Sequence, residues 1–235
     1  GAVPIPLYQD AAALECIFPI NNADVCFAFA EDQEQVDKLL EVREQCPQLT
    51  NIYFDDPRGL RKYDEPGLAS LETLLEAGKA FAAAHPAFFK TEVEKAKPTD
   101  VAAMFFTSGT TGNPKGVVHT HNSLLNAAES GAKFDKLTSA EEVLAYLPPA
   151  WIGQNIFSYS QWLACGYVVN CPESAATTTI DLKEVGPSYY FAPPRVFEGL
   201  LTSVMIRMED AGAFKRKMFG YFMDVAKKVG PAKTD

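Results

Sequence analysis

Short apolar runs alternate with stretches of helical periodicity along the first hundred residues. VPIPLY, VCFAFA and LTNIYFD read as strands, and EDQEQVDKLLEVREQ between the last two places Val36, Leu39, Leu40 and Val42 or Arg43 at helical spacing behind an acidic start. DDPRGLRKYDEPG breaks both patterns with Pro and Gly and reads as a turn-rich connection. SLETLLEAGKAFAAA predicts a helix stopped at His85-Pro86, and KTEVEKAKPTD a charged lead into the next strand. Beyond it come the strand VAAMFF, a Gly/Ser/Thr loop, a helix from about Asn122, the strand VLAYL, an aromatic helix around Trp151 to Leu163, and the strands YVVNC and SYYFA. Such alternation predicts an α/β fold, a layered, mainly parallel sheet flanked by helices, with an organisational boundary near Pro98 separating segments 1–98 and 99–235.

Composition narrows the field. A chain of 235 residues with 47% hydrophobic and 22% charged content can bury a substantial core. Its net charge of −9 repels a phosphate backbone, so nucleic acid is not expected as a partner. Cys16, Cys26, Cys46, Cys165 and Cys171 contain no CxxC pair and fit a reduced, cytoplasmic setting. No apolar run approaches the roughly 18 to 20 residues that span a bilayer. The opening GAVPIPLY has no initiator methionine and enters at once on a strand-like run, which reads as the interior of a longer protein.

The chemistry concentrates in FFTSGTTGNPKGVVHTH, residues 105–121. Glycines 109, 112 and 116 let a backbone turn tightly and approach a ligand, so that N–H groups can point at phosphate oxygens. Thr107, Ser108, Thr110 and Thr111 add hydroxyls, and Lys115 adds a compact cation on a flexible stem. No Asp or Glu occurs between Val101 and Ala128, which spares a polyphosphate from like-charge repulsion of about 1 to 4 kcal/mol per contact at ~4 Å. Pro114 before Lys115 and Gly116 after it exclude a Walker A loop.

TSGTTGNPKGVVHTH resembles the signature loop of the AMP-forming superfamily of acyl- and aryl-CoA synthetases, adenylation domains and luciferases. The resemblance implies a loop that holds the ATP phosphates while a carboxylate attacks the α-phosphorus, followed by capture of the acyl-adenylate by the thiol of coenzyme A. It makes Thr107, Ser108, Gly109, Thr110, Thr111, Gly112 and Lys115 nucleotide-binding candidates. Thr107 is also a candidate Mg2+ ligand, and Lys115 and Thr107 are the catalytic candidates. GAVPIPLY and LAYLPPAWIGQNIFSY extend the match over most of the chain. LPPAWIGQ with YYFAPPRVFEGLLTSVMIRMEDAG is most similar to bacterial long-chain fatty acyl-CoA synthetases. Where many relatives place a histidine near the acyl pocket this chain has Trp151, so no histidine role transfers.

Trp151 reads equally as a lining of an acyl pocket or as core packing. Gln154 and Asn155 could meet a ligand, but surface or capping roles suit them better, and Arg195 suits a solvated position more than an anion contact. His119 and His121 form an HxH pair without further ligands nearby and are expected to orient the loop or cap the following helix. Residues 195–229 read as two amphipathic helices. The second carries Lys215, Arg216, Lys217, Lys227 and Lys228, which leaves open peripheral contact with the inner face of a membrane. Packing on other segments of the family fold is the simpler expectation.

The resemblance also implies a YGxTE-like segment, a ribose-binding aspartate and a lysine on a C-terminal lid domain. None is found in this chain, so the isolated piece is expected to have little or no activity. Two other readings stay open at this level: a ligase for an aryl or amino acid, and a non-catalytic nucleotide-binding module. Oligomerisation is open as well.

Overall fold

A computed structural model describes residues 1–107 and 114–230. Strands β1 (Phe27–Ala30), β2 (Asn51–Phe54) and β3 (Leu68–Ser70) form a parallel sheet in that order, with Ile52 opposite Ala28 on one side and Leu68 on the other. Helix α1 (Ala13–Asn22) and helix α2 (Gln33–Val42), the latter continued by a 3-10 turn at Arg43–Gln45, pack together beside this sheet. Asp32 caps α2 by accepting from the Gln35 amide at 3.2 Å. The apolar spacing then turns Val36, Leu39 and Val42 inward, where they meet Ile20, Cys46, Leu49 and Ile52 in one core.

Helices α3 (Leu71–Ala84) and α4 (Phe88–Lys95) follow, with Ser70 capping α3 through the Thr73 amide. Strands β4 (Val101–Thr107) and β5 (Lys115–Thr120) pair antiparallel and lead into α5 (His121–Asp135). Strands β6 (Glu142–Leu144) and β7 (Val168–Asn170) pair parallel. The chain between them runs through a short α6 (Ile152–Gln154), a π-helix at Asn155–Ser160 and α7 (Gln161–Cys165), the last two packed on α5. Helix α8 (Thr178–Val185) completes a first unit, Gly1–Tyr189. A second unit starts at Tyr190 and holds α9 (Pro194–Glu209) and α10 (Ala213–Val229).

Several expectations are corrected. VPIPLY forms no strand, because Pro4 and Pro6 have no N–H to donate; the segment instead meets β4 through a bond from the Met104 amide to the Pro4 carbonyl, 3.2 Å. SYYFA reduces to a single bridge between Tyr189 and Val143, hemmed by Pro187 on one side and Pro193-Pro194 on the other. The charged KTEVEKAK stretch is largely helical, as α4. Helix α1 escaped notice because Pro19 sits inside it, although Ala13, Cys16 and Ile20 mark its buried face. The short α8 and the three-residue β3 were also unexpected.

Candidate functional site

The Gly/Ser/Thr segment does not run from a strand directly into a helix. The strands on either side of it pair with each other: β4 ends at Thr107, β5 begins at Lys115, and the two residues stand directly opposite each other. Residues opposed in an antiparallel pair have Cα atoms about 4.5 to 5.5 Å apart and side chains on the same face, so the Thr107 hydroxyl and the Lys115 ammonium share one side of the hairpin mouth. Both residues are exposed. Ser108, Gly109, Thr110, Thr111 and Gly112 lie outside the described residues.

Behind the mouth the hairpin is anchored on both faces. On the Thr107 and Lys115 side, Phe105 and Ala103 are buried and the Phe105 ring meets His119 edge-on at 5.8 Å. On the other side Phe106 makes an edge contact with Phe18 at 6.2 Å. Gly116 lies in β5 opposite Phe106 rather than in a turn, and a Cβ there would come 2.0 Å from the Met104 methyl. Gly116 thus belongs to the paired strand, not to the turn expected from sequence.

Helix α5 starts at the far end of this hairpin, beside the beginning of β4. Its first amides are already used: His121 N–H donates to the Asp100 carbonyl at 3.1 Å and Asn122 N–H to the Pro98 carbonyl at 2.9 Å. Thr120 Oγ1 accepts from Ser123 N–H, and Ser123 Oγ from Thr120 N–H, a reciprocal cap. A helix N-terminus with its donors engaged does not bind an anion in the manner of a strand–loop–helix phosphate site. Any grip on phosphate at the hairpin mouth therefore falls to loop amides, hydroxyls and Lys115. His119 and His121 fit this arrangement: His119 Nδ1 lies 3.4 Å from Ser123 Oγ and His121 opens the helix. Among the described residues no group of three or more His, Cys, Asp or Glu is placed to hold a metal.

The second candidate region is built around a turn after β6. The Trp151 ring lies over Gly153, where a Cβ would come within 2.8 Å of two ring carbons, so residue 153 must be small for the indole to occupy this place. Gln154 is 4% exposed, contrary to the surface role expected for it; its Oε1 accepts from the Leu147 amide at 3.3 Å and its Nε2 donates to Ser158 Oγ at 2.9 Å. Asn155 Nδ2 donates to the Pro149 carbonyl at 2.6 Å. These bonds hold a π-helical segment whose wider turn brings Ser158, Ser160 and Gln161 inward. Sequence reading singles out neither Gly153 nor the π-helix; a glycine two residues past Trp151 is the available signal.

Below this segment Tyr189 O–H donates to Asp135 Oδ2 at 3.1 Å, tying the end of the first unit to the last turn of α5. The fully buried Gln161 carboxamide beside that hydroxyl reaches no hydrogen bond of good geometry among the described residues. Burial, and then the Asp135 carboxylate, push the Tyr189 hydroxyl up to about 12. Burial also raises Tyr167, whose hydroxyl donates to the Phe157 carbonyl. A tyrosine raised on folding stabilises the native state fully below its unfolded value of about 10, and that contribution is lost as pH climbs from about 10 toward 12. The thermal midpoint is thus expected to fall across this window, and Tyr189→Phe to flatten the fall while costing a little stability at neutral pH. A variant whose midpoint declines as steeply as wild type would count against the assignment to Tyr189.

The profile of the AMP-binding enzyme family matches residues 1–226. A long-chain-fatty-acid CoA ligase of Xenopus laevis is 26% identical over 227 residues, covering 93% of this chain and 30% of that protein. Long chain acyl-CoA synthetase 3 of Arabidopsis thaliana is 26% identical over 235 residues, covering 94% of this chain and 34% of that protein. The chain therefore spans about a third of the length of these relatives. Among solved structures, the adenylation domain of a carboxylate reductase from Mycobacterium chelonae superposes with a TM-score of 0.69 at 15% identity, over 90% of this chain and 34% of that one. An anthranilate CoA ligase in complex with anthranoyl-AMP superposes with a TM-score of 0.59 at 16% identity, over 82% and 35%. These two likenesses establish the fold.

Proposed function

The chain belongs to the AMP-binding enzyme family, and from that premise we propose that the protein of which it forms part activates a long-chain fatty acid with ATP and transfers the acyl group to coenzyme A. The fatty acid carboxylate attacks the α-phosphorus of ATP, pyrophosphate leaves, and the acyl-adenylate passes its acyl group to the coenzyme A thiol with release of AMP. The observation that carries this reading is the pairing of Thr107 with Lys115 at the mouth of an anchored hairpin. Departure of pyrophosphate builds negative charge on the leaving oxygens, and an ammonium and loop donors that meet them there stabilise the transition state more than the ground state.

The donor set also suits Mg2+ carried in with the nucleotide. Magnesium takes one or two protein oxygens and completes its shell with phosphates and water, and Thr107 offers one exposed hydroxyl at the strand end. Thr107 would hold the ion and Lys115 the phosphates, and bound Mg2+ would supply charge neutralisation on the leaving group. Trp151, held flat over Gly153, is assigned to the wall of the acyl pocket, and Gln154 supports that wall from behind through its bonds to Leu147 and Ser158. The long-chain assignment draws on the printed activities of the two curated relatives.

Acid-dependent ATP–pyrophosphate exchange on the full-length protein tests this reading. Exchange is expected with palmitate-like acids. Exchange with benzoate-like or amino acids and none with palmitate would transfer the assignment to another carboxylate, and no exchange with any acid would favour a non-catalytic nucleotide-binding module.

A further inference from the structure

Helix α10 differs in charge from the rest of the chain. It carries Lys215, Arg216, Lys217, Lys227 and Lys228 against the single acid Asp224, in a protein whose net charge is −9. Phe214, Met218, Tyr221, Phe222, Val225 and Val229 recur at helical spacing and fan over about 100° of its circumference. All six are exposed, Phe214 at 78%, Tyr221 at 65% and Phe222 at 60%. On the same helical geometry Lys215 borders one edge of the stripe and Lys217 and Lys228 the other. Among the described residues none of these three lysines pairs with a carboxylate.

We infer that this face of α10 docks on an anionic lipid surface, lying in the plane of the interface with its aromatic stripe inserted and its flanking lysines among the headgroups. An aromatic and aliphatic stripe edged by lysine is the pattern of an interfacial helix. No helix among the described residues is long and apolar enough to cross a membrane, so the helix rests on the surface and does not span it. Two copies stacked through this face would bring the three flanking lysines of one against those of the other, which argues against a second copy as the occupant. Acids elsewhere on the chain do not cancel the attraction, because at physiological salt fields fade over roughly 8 Å.

Co-sedimentation of the full-length protein with vesicles tests the inference. Binding is expected to phosphatidylcholine vesicles carrying phosphatidylglycerol and to be much weaker with phosphatidylcholine alone. Since each lysine near an anionic surface contributes roughly a fivefold gain in partitioning, the Lys215→Glu/Lys217→Glu/Lys228→Glu variant is expected to bind at least about a hundredfold more weakly. Phe222→Trp should show a blue-shifted emission on anionic vesicles only. Equal binding of wild type to both vesicle types, or no binding to either, would overturn the inference. So would dimerisation abolished by Phe222→Asp without vesicle binding, which would assign the face to a second copy. A fall in thermal midpoint for Phe214→Asp/Phe222→Asp without vesicle binding would overturn it too, and assign the face to packing within the protein.

Discussion

Lys115→Ala in the full-length enzyme is expected to slow acid-dependent ATP–pyrophosphate exchange by roughly 10²- to 10³-fold, the loss typical of removing one preorganised group that stabilises developing charge. The thermal midpoint should barely move, because Lys115 is exposed and, among the described residues, forms no ion pair. That separation matters, since it distinguishes a lost transition-state contact from an unfolded hairpin. The rate constant and the rate constant over KM should fall together, as expected when the missing interaction is made chiefly in the transition state. Lys115→Arg is expected to restore only part of the rate, because a planar fork on the same stem does not place its charge where a compact ammonium does. An exchange rate for Lys115→Ala within a few-fold of wild type would remove the residue from the mechanism.

The largest effect on stability is expected at Ile52. It is fully buried in the central strand, flanked by Ala28 and Leu68, and belongs to the core formed with Val36, Val42 and Leu49. Ile52→Ala removes three heavy atoms from a site bounded by hydrogen-bonded strands that cannot collapse around the void, so the loss is expected to be about 2 to 5 kcal/mol. Urea titration should show a lower midpoint with an unchanged slope. A loss below about 0.5 kcal/mol would mean that this core does not carry the stability of the parallel sheet.

Periodicity was a sound guide wherever one face of an element had to be buried. It located α2 through Val36, Leu39 and Val42, and it located β1, β2, β4, β6 and β7 through their apolar runs. It failed where a residue type contradicted its surroundings. Pro19 concealed α1, and Pro4 and Pro6 removed the donors that VPIPLY needed to be a strand. Strand β5 was hidden for a different reason: glycine, lysine, histidine and threonine surround only two valines in KGVVHT, a composition that reads as loop, and pairing with β4 makes it a strand. The π-helix escaped because a periodic reading assumes 3.6 residues per turn.

The candidate site was legible as chemistry but not as geometry. Lys115, the threonines and the missing carboxylates stood out as residue types suited to phosphate. Only the register showed that Thr107 faces Lys115 directly, and only the backbone bonds from His121 and Asn122 showed that the α5 terminus is engaged elsewhere. Gln154 illustrates the converse, since a polar side chain beside a suspected pocket is committed by its bonds to Leu147 and Ser158 to supporting the chain behind it.

The proposal that the hairpin mouth grips the triphosphate of ATP is tested most directly by amide hydrogen exchange on the full-length protein with and without MgATP. Exchange is expected to slow in the peptide spanning residues 105–119 when nucleotide is added, with little change at the start of α5, where the amides of His121 and Asn122 are already bonded. Unchanged exchange across residues 105–119 at saturating MgATP, with protection elsewhere, would contradict the placement of the phosphates at this mouth.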